Sequence, residues 1–363
     1  MRYDKTIWVA VAFAAGLFGG CERRQVQETR EMKVPAMKSA AVWSVSDRVN
    51  DIACQRDGRL IAVAAVAKPI ILVLDAMTGK ESFALPCDVS SPLHVAFSPK
   101  GNYIAAGCSG GIEVWDVARR AAVATLHRER FNCSGVAFSQ CGRHVYAAMS
   151  NPEALLWCLD IETGQSTVVF DARRHSPFPK SDGEDILCFA MCQETSIMAF
   201  SLSGGTILLD ASSKRVLRAI PSARDPAIHM RFSPDGRVLA IVTSKPNIEL
   251  WDVRKGEKLA TCVTALVTAL SFSPDGRLLA SAGEGRPYEA GSIDIWEVES
   301  HKRLGRFAAH ESVILGLAFL PGTSKVITGS DDGTVQVWDL TELASTDDRC
   351  DPPPPPNTPT TEP

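Results

Sequence analysis

The phrase Phe-Ser-Pro-Asp-Gly-Arg occurs twice, at Phe232–Arg237 and Phe272–Arg277, each time followed by an apolar run. Looser copies are anchored at Cys54, Phe97, Phe138, Phe189 and Phe319, so the seven anchors are spaced 43, 41, 51, 43, 40 and 47 residues apart. A second phrase keeps step with the first. It is a short alternating strand ending in an acid, at Asp75, Asp116, Asp160, Asp210, Asp252, Glu297 and Asp339. Trp115, Trp251, Trp296 and Trp338 immediately precede four of those acids. Repetition at this period means that one small unit is copied, and that no copy buries its apolar face alone.

Each unit divides into strands at its turn residues. Pro-Asp-Gly separates two apolar runs, as hairpin chemistry requires. A further strand leads to the acid, and Thr78-Gly79, Thr163-Gly164 and Lys255-Gly256 mark the turn beyond it. Sheets of four short strands become stable when packed radially. The expected fold is therefore all-β, a seven-bladed β-propeller over residues 41–342. The last unit runs out after its third strand, at Val335–Leu340, while Ala41–Val45 is an unassigned strand before the first. That N-terminal strand is expected to close the final blade and remove its exposed edge, with Trp43 packed there.

From about Ala41 to Leu340 these residues resemble the WD-repeat family, whose fold is a β-propeller. The last unit carries the resemblance best. His310, Ser330, Asp332 and Trp338 stand at the family's positions, which implies a hydrogen-bonded chain that stiffens the blade. WD-repeat domains mostly serve as scaffolds. The resemblance thus implies a non-catalytic interaction platform for another protein.

Hydrophobic residues make up 45% of the chain and charged residues 22%, which excludes a wholly disordered polymer. The net charge of -4, without a long Lys/Arg block, argues against a nucleic-acid binder that works by neutralising phosphates. Residues 1–20 read as a signal peptide: Arg2 and Lys5, then an apolar run from Ile7 to Phe18, then small residues. Leu17–Cys21 resembles the lipobox of bacterial lipoproteins, which implies lipid attachment at Cys21 and a membrane anchor. A simple cleaved signal and an uncleaved anchor are the alternatives. On the lipobox reading the protein is an exported bacterial lipoprotein on the periplasmic or extracellular side, with residues 21–40 as a polar tether. Residues 343–363, with five successive prolines, read as a disordered tail.

Several motifs invite chemistry. The seven periodic acids read as structural, because a catalytic group is needed once and a blade terminus seven times. Gly107-Cys108-Ser109-Gly110-Gly111 fits G-x-S-x-G but lies between two strands, without the strand–turn–helix context of a nucleophile elbow. No histidine pair has ligand spacing, so neither a metal nor another cofactor is expected. Ten cysteines besides Cys21 sit uneasily with export, since an oxidising compartment favours disulfides. Cys188 and Cys192 are the leading local pair.

Two longer connections, 171–185 and 283–292, emerge on one face of the expected ring. Long loops on a rigid scaffold are where binding usually resides. Arg173, Arg174, His175, Phe178, Lys180, Arg286 and Tyr288 are the candidate partner-binding residues there. The alternative function is an exported propeller enzyme, a lactonase or other hydrolase. It requires a polar pocket on the axis where at least three carboxylate or His side chains converge. An intracellular scaffold with an N-terminal anchor is a third reading.

Overall fold

Second strands of the units are apolar almost throughout, whereas fourth strands are mostly exposed. Leu60–Ala65 and Ile197–Leu202 bury nearly every residue, while Glu81–Pro86 and Val216–Pro221 fully bury only Leu85 and Ile220. A strand covered on both faces lies between neighbouring sheets, and one with a single buried side chain lies at the perimeter.

The computed structural model describes residues 37, 39–45, 48–66, 68–150, 153–179, 185–222, 225–284 and 290–344. β1 (Ser39–Ser44) precedes the first unit. Unit one is a sheet of β2 (Val49–Cys54), β3 (Leu60–Ala65), β4 (Ile70–Asp75) and β5 (Glu81–Pro86). Units two and three comprise β6 (Pro92–Phe97), β7 (Tyr103–Asp116), β8 (Ala121–Phe138), β9 (His144–Ser150), β10 (Leu155–Asp160) and β11 (Ser166–Asp171). The helical turn α1 (Ala172–His175) follows. Unit four is β12 (Phe189–Cys192), β13 (Ile197–Leu202), β14 (Gly205–Asp210) and β15 (Val216–Pro221). Unit five is β16 (His229–Phe232), β17 (Val238–Val242), β18 (Asn247–Asp252) and β19 (Glu257–Val263). Unit six is β20 (Leu266–Phe272), β21 (Leu278–Glu284), β22 (Gly291–Glu297) and β23 (Arg303–His310). β24 (Ile314–Leu320), β25 (Lys325–Ser330) and β26 (Thr334–Asp339) form the last sheet with β1, and α2 (Thr341–Ala344) ends the described chain.

The expectation of seven separate blades needs correction. There are six hydrogen-bonded sheets, five of four strands and one of six. Units two and three share the six-stranded sheet because their ladders run together. Ser109 of β7 pairs with Asn132 of β8, and Asn132 pairs with Ser150 of β9. Elsewhere each unit keeps its own ladder. β1 pairs antiparallel with β26, from Ser39 opposite Trp338 to Ser44 opposite Thr334.

Packing follows the repeat. The innermost strands contact one another in succession: β2 with β6, β6 with β8, β8 with β12, β12 with β16, β16 with β20, β20 with β24, and β24 with β2. Apolar clusters fill the spaces between consecutive units. One holds Leu156, Phe170, Phe200 and Ile207 of units three and four, and another holds Ile61, Leu74, Ile327 and Val335 of units one and seven. Leu343 of α2 is buried in a third. In unit four the register also differs from expectation. Anchors pair with the residue seven places on, as Phe97 does with Ile104 and Phe272 with Leu279. Met191, not Phe189, does so with Met198.

Candidate functional site

The periodic acids have a local role. Asp75, Asp116, Asp160, Asp210 and Asp252 each accept the backbone N–H three residues on, which fastens the turn after the third strand. Hydrogen bonds from the Thr78 side chain and N–H hold the Asp75 carboxyl below its ordinary value. The Arg143 guanidinium, first among several donors, brings Asp160 down to about 2.

In the last unit a chain of side-chain bonds runs inward from the rim. Asp332 Oδ2 lies 2.9 Å from His310 Nδ1, His310 Nε2 lies 2.7 Å from Thr328 Oγ1, and Trp338 Nε1 donates to that hydroxyl at 3.0 Å. His310, Asp332 and Trp338 thus come together. Ser330 does not join them: its hydroxyl donates to Val313 O at 2.8 Å and accepts the Asp332 N–H. Thr328, missed in the sequence, takes the linking position. The indole of Trp338, which pairs with Val326, reaches diagonally to residue 328 on the neighbouring strand. Unit six keeps part of this pattern, where Trp296 Nε1 donates to Ser281 Oγ at 3.0 Å.

At the opposite edge of unit three, Asp171 caps α1 by accepting the Arg173 N–H. Arg173, Arg174 and His175 are exposed in succession. Arg174 pairs with Asp171 at 3.1 Å, and the His175 ring tilts over Phe170 at 5.9 Å. A groove of about 370 Å³ lies beside them, lined by Glu153, Leu155, Val168 and Phe170. Phe178 packs in part onto the next unit. It is half-buried against Gly204 and Gly205 of unit four, where a Cβ on Gly204 would sit 2.5 Å from Phe178 Cβ. Lys180, Arg286, Tyr288 and Cys21 lie outside the described residues.

Around the axis, Asp51, His94 and His229 occupy one register position, three residues before the anchors of units one, two and five. His94 Nδ1 lies 3.7 Å from Asp51 Oδ2. Burial, and then the charge of Arg231, push His229 down to about 4, so its ring is neutral at pH 7. Asp51, His94 and His229 also influence one another's charge, which is the observation favouring the enzyme alternative. The Asp51 carboxylate is already committed, accepting the N–H of Ile52 at 2.8 Å and of Val95 at 3.1 Å. Among the described residues no three His, Cys, Asp or Glu side chains form a metal-binding group.

The nine described cysteines are free thiols. Cys188 and Cys192 do not pair. Each faces the next unit, with Cys188 Sγ 3.3 Å from Ala227 O and Cys192 Sγ 3.8 Å from Pro234 O. The G-x-S-x-G segment lies within β7, where the strand changes partner from β6 to β8.

Radial four-stranded units, with an acid-fastened turn after each third strand, define a repeat β-propeller. Family models and relatives with WD repeats support placing the chain among the WD-repeat propellers. The family model described as WD domain, G-beta repeat matches residues 256–296 and 301–339. The anaphase-promoting complex subunit 4 WD40 domain matches 184–266, and the eukaryotic translation initiation factor eIF2A model matches 49–158.

Among curated proteins, the chain is similar to periodic tryptophan protein 2 of Saccharomyces cerevisiae, 28% identical over 43% of this chain and 18% of that protein. Telomerase protein component 1 of Rattus norvegicus is 28% identical over 31% of this chain and 4% of its own length. Human pre-mRNA-processing factor 17 is 24% identical over 68% of this chain and 49% of its own length. The matches therefore cover less than half of each relative's length. These relatives are eukaryotic, which overturns the expected localisation as an exported bacterial lipoprotein. Nor do they support lipid attachment at Cys21.

Proposed function

We propose that the chain is a non-catalytic scaffold that binds another protein through the end of the ring carrying α1. The observation that carries this reading is the run of exposed Arg173, Arg174 and His175 at the rim of a partly apolar groove. Basic side chains beside an apolar hollow suit recognition of an acidic segment with an apolar anchor. The connection bearing Lys180 joins a fourth strand to the next first strand. The connection bearing Arg286 and Tyr288 joins a second strand to a third. In an antiparallel sheet both connections leave from the same end. The pairing of β1 with β26 supports a ring closed by the N-terminal strand, which keeps that end rigid. WD-repeat relatives, and family models none of which describes an enzyme, favour a scaffold over catalysis at the axis.

The test places a photo-cross-linker at Arg174 and, as control, at Arg237 in a turn at the other end of its sheet. A discrete partner captured only from Arg174, and lost on combining Arg173→Glu with Arg174→Glu without change in unfolding, supports the reading. A partner retained by the charge-reversed chain overturns it.

A further inference from the structure

Cys141 occupies a turn built to receive a carboxylate. In unit five, Ser233 Oγ and the Arg237 N–H donate to Asp235 Oδ1 at 2.7 and 3.0 Å. In unit six, Ser273 Oγ and the Arg277 N–H donate to Asp275 Oδ1 at 2.5 and 3.0 Å. Unit three reads Ser139-Gln140-Cys141-Gly142-Arg143, so a sulfur stands where the others place an anion. Ser139 Oγ lies 3.3 Å from Cys141 Sγ. The Ser139 hydroxyl, and then the N–H groups of Arg143 and His144, hold the Cys141 thiol below its ordinary value. Burial pushes Cys54 and Cys133 the other way, up to about 12. Among the described cysteines Cys141 alone is exposed.

The surroundings form a receptacle rather than an open surface. Cys141 lines a cleft of about 660 Å³ between units three and four, at the end of the ring opposite α1. His144, Tyr146, Lys214 and a second thiol, Cys158, line it too. Arg143 is held by Asp160 and Glu162, each at 2.8 Å, and His144 Nε2 lies 3.7 Å from Asp160 Oδ2, which leaves Lys214 as the cationic group of the cleft.

We propose that this cleft is a mixed-disulfide site, in which a small anionic disulfide of the glutathione class docks against Lys214 and thiolates Cys141. The Cys141 proton passes to water, and the thiolate attacks one sulfur of the disulfide. The new S–S bond forms as the old one breaks. The departing thiolate leaves with the electron pair and takes up a proton from solvent. Cys141 is oxidised and the small disulfide is reduced to one adduct and one free thiol. The donors around Sγ favour the attacking thiolate at neutral pH, which is what distinguishes a reactive cysteine from an inert buried one. This site is independent of the partner face.

The experiment exposes the reduced full chain to glutathione disulfide at neutral pH, quenches it in acid and maps adducts peptide by peptide without reduction. Cys141 is expected to react roughly tenfold faster than the half-buried Cys54 and Cys158, with the adduct lost on adding dithiothreitol. Lys214→Glu should slow that reaction while leaving the rate with uncharged 2-hydroxyethyl disulfide unchanged. Cys141→Asp restores the residue of the sister turns. It should take no adduct there and unfold at the same denaturant concentration or higher. A Cys141 rate no greater than that of Cys54 and Cys158 overturns the proposal. So does a glutathione disulfide rate at Cys141 that Lys214→Glu leaves unchanged.

Discussion

The indole of Trp43 lies against the α-carbon of Gly79, so closely that a Cβ built there would sit 2.1 Å from Trp43 Cε2. Trp43 belongs to β1, which pairs with β26 in the last sheet, whereas Gly79 closes the turn after β4 in the first. One contact therefore joins the two ends of the repeat. Gly79 also has φ of +67°, in the left-handed region, so two constraints coincide at this glycine.

Gly79→Ala is expected to lower unfolding stability by about 2 kcal/mol, from the backbone penalty and displacement of the indole together. Trp43→Ala should cost about 2–3 kcal/mol, below the value for a fully buried aromatic because the ring is only half-buried. Denaturant unfolding of both singles and the double checks the coupling. Because both changes act on one contact, the double should cost less than the sum, and strict additivity would refute it.

Thr328, rather than Ser330, carries the side-chain network of the last unit. Thr328→Val strips the partner from His310 Nε2 and Trp338 Nε1 while keeping the shape, so a loss of about 2–3 kcal/mol is expected. Thr328→Ser keeps the hydroxyl and should cost about 1 kcal/mol or less for the lost methyl. Equal losses for Val and Ser in thermal or urea unfolding would show that packing, not hydrogen bonding, matters there.

The units are also stitched side chain to backbone. Asn50 Nδ2 donates to Pro92 O at 3.1 Å, Ser134 Oγ to Ile186 O at 2.6 Å and Thr268 Oγ1 to Ile314 O at 2.5 Å. Each donor stands four residues before its anchor, and each acceptor five before the next unit's anchor. Thr268→Val should destabilise by about 1–2 kcal/mol through the unpaired Ile314 carbonyl. Hydrogen exchange should quicken locally in β20 and β24, and exchange unchanged there would contradict a stitching role.

Acid should weaken the protein before its carboxylates titrate. The folded chain holds His229 at about 4, against 6.5 for the ordinary group, because of burial first and Arg231 second. As pH falls below 6.5, the unfolded chain binds a proton that the folded one refuses. The stability present above pH 6.5 is thus lost progressively down to about pH 4, by on the order of 2 kcal/mol. His310 is lowered as well, chiefly by burial and against the pull of Asp332, and adds in the same direction. His229→Gln should flatten the urea midpoint between about pH 6.5 and 4. A midpoint whose slope that substitution leaves unaltered would place the acid sensitivity elsewhere.

Two features of the repeat are legible in the amino-acid order alone. Apolar runs bounded by Pro-Asp-Gly mark β20 and β21, and a Trp-acid pair marks the end of β22 and of β26. The candidate partner face is legible only in part. Arg173, Arg174 and His175 are exposed on α1, and the half-burial of Phe178 over Gly204 and Gly205 depends on a contact with the next unit.

By itself the sequence determined the all-β class, the presence of a repeat and the local role of its acids, because turn chemistry and strand alternation act over a few residues. Tertiary structure alone decided the rest. Whether Thr328 or Ser330 meets His310 depends on reach across strands, since alternation puts both on the same side of β25. That units two and three share a sheet depends on Asn132 meeting both Ser109 and Ser150. Thr268 and Ile314 are 46 residues apart, and Cys141 faces a cleft completed by Lys214 of the next unit. Those partners are chosen by the path of the ring, which no short stretch of chain encodes.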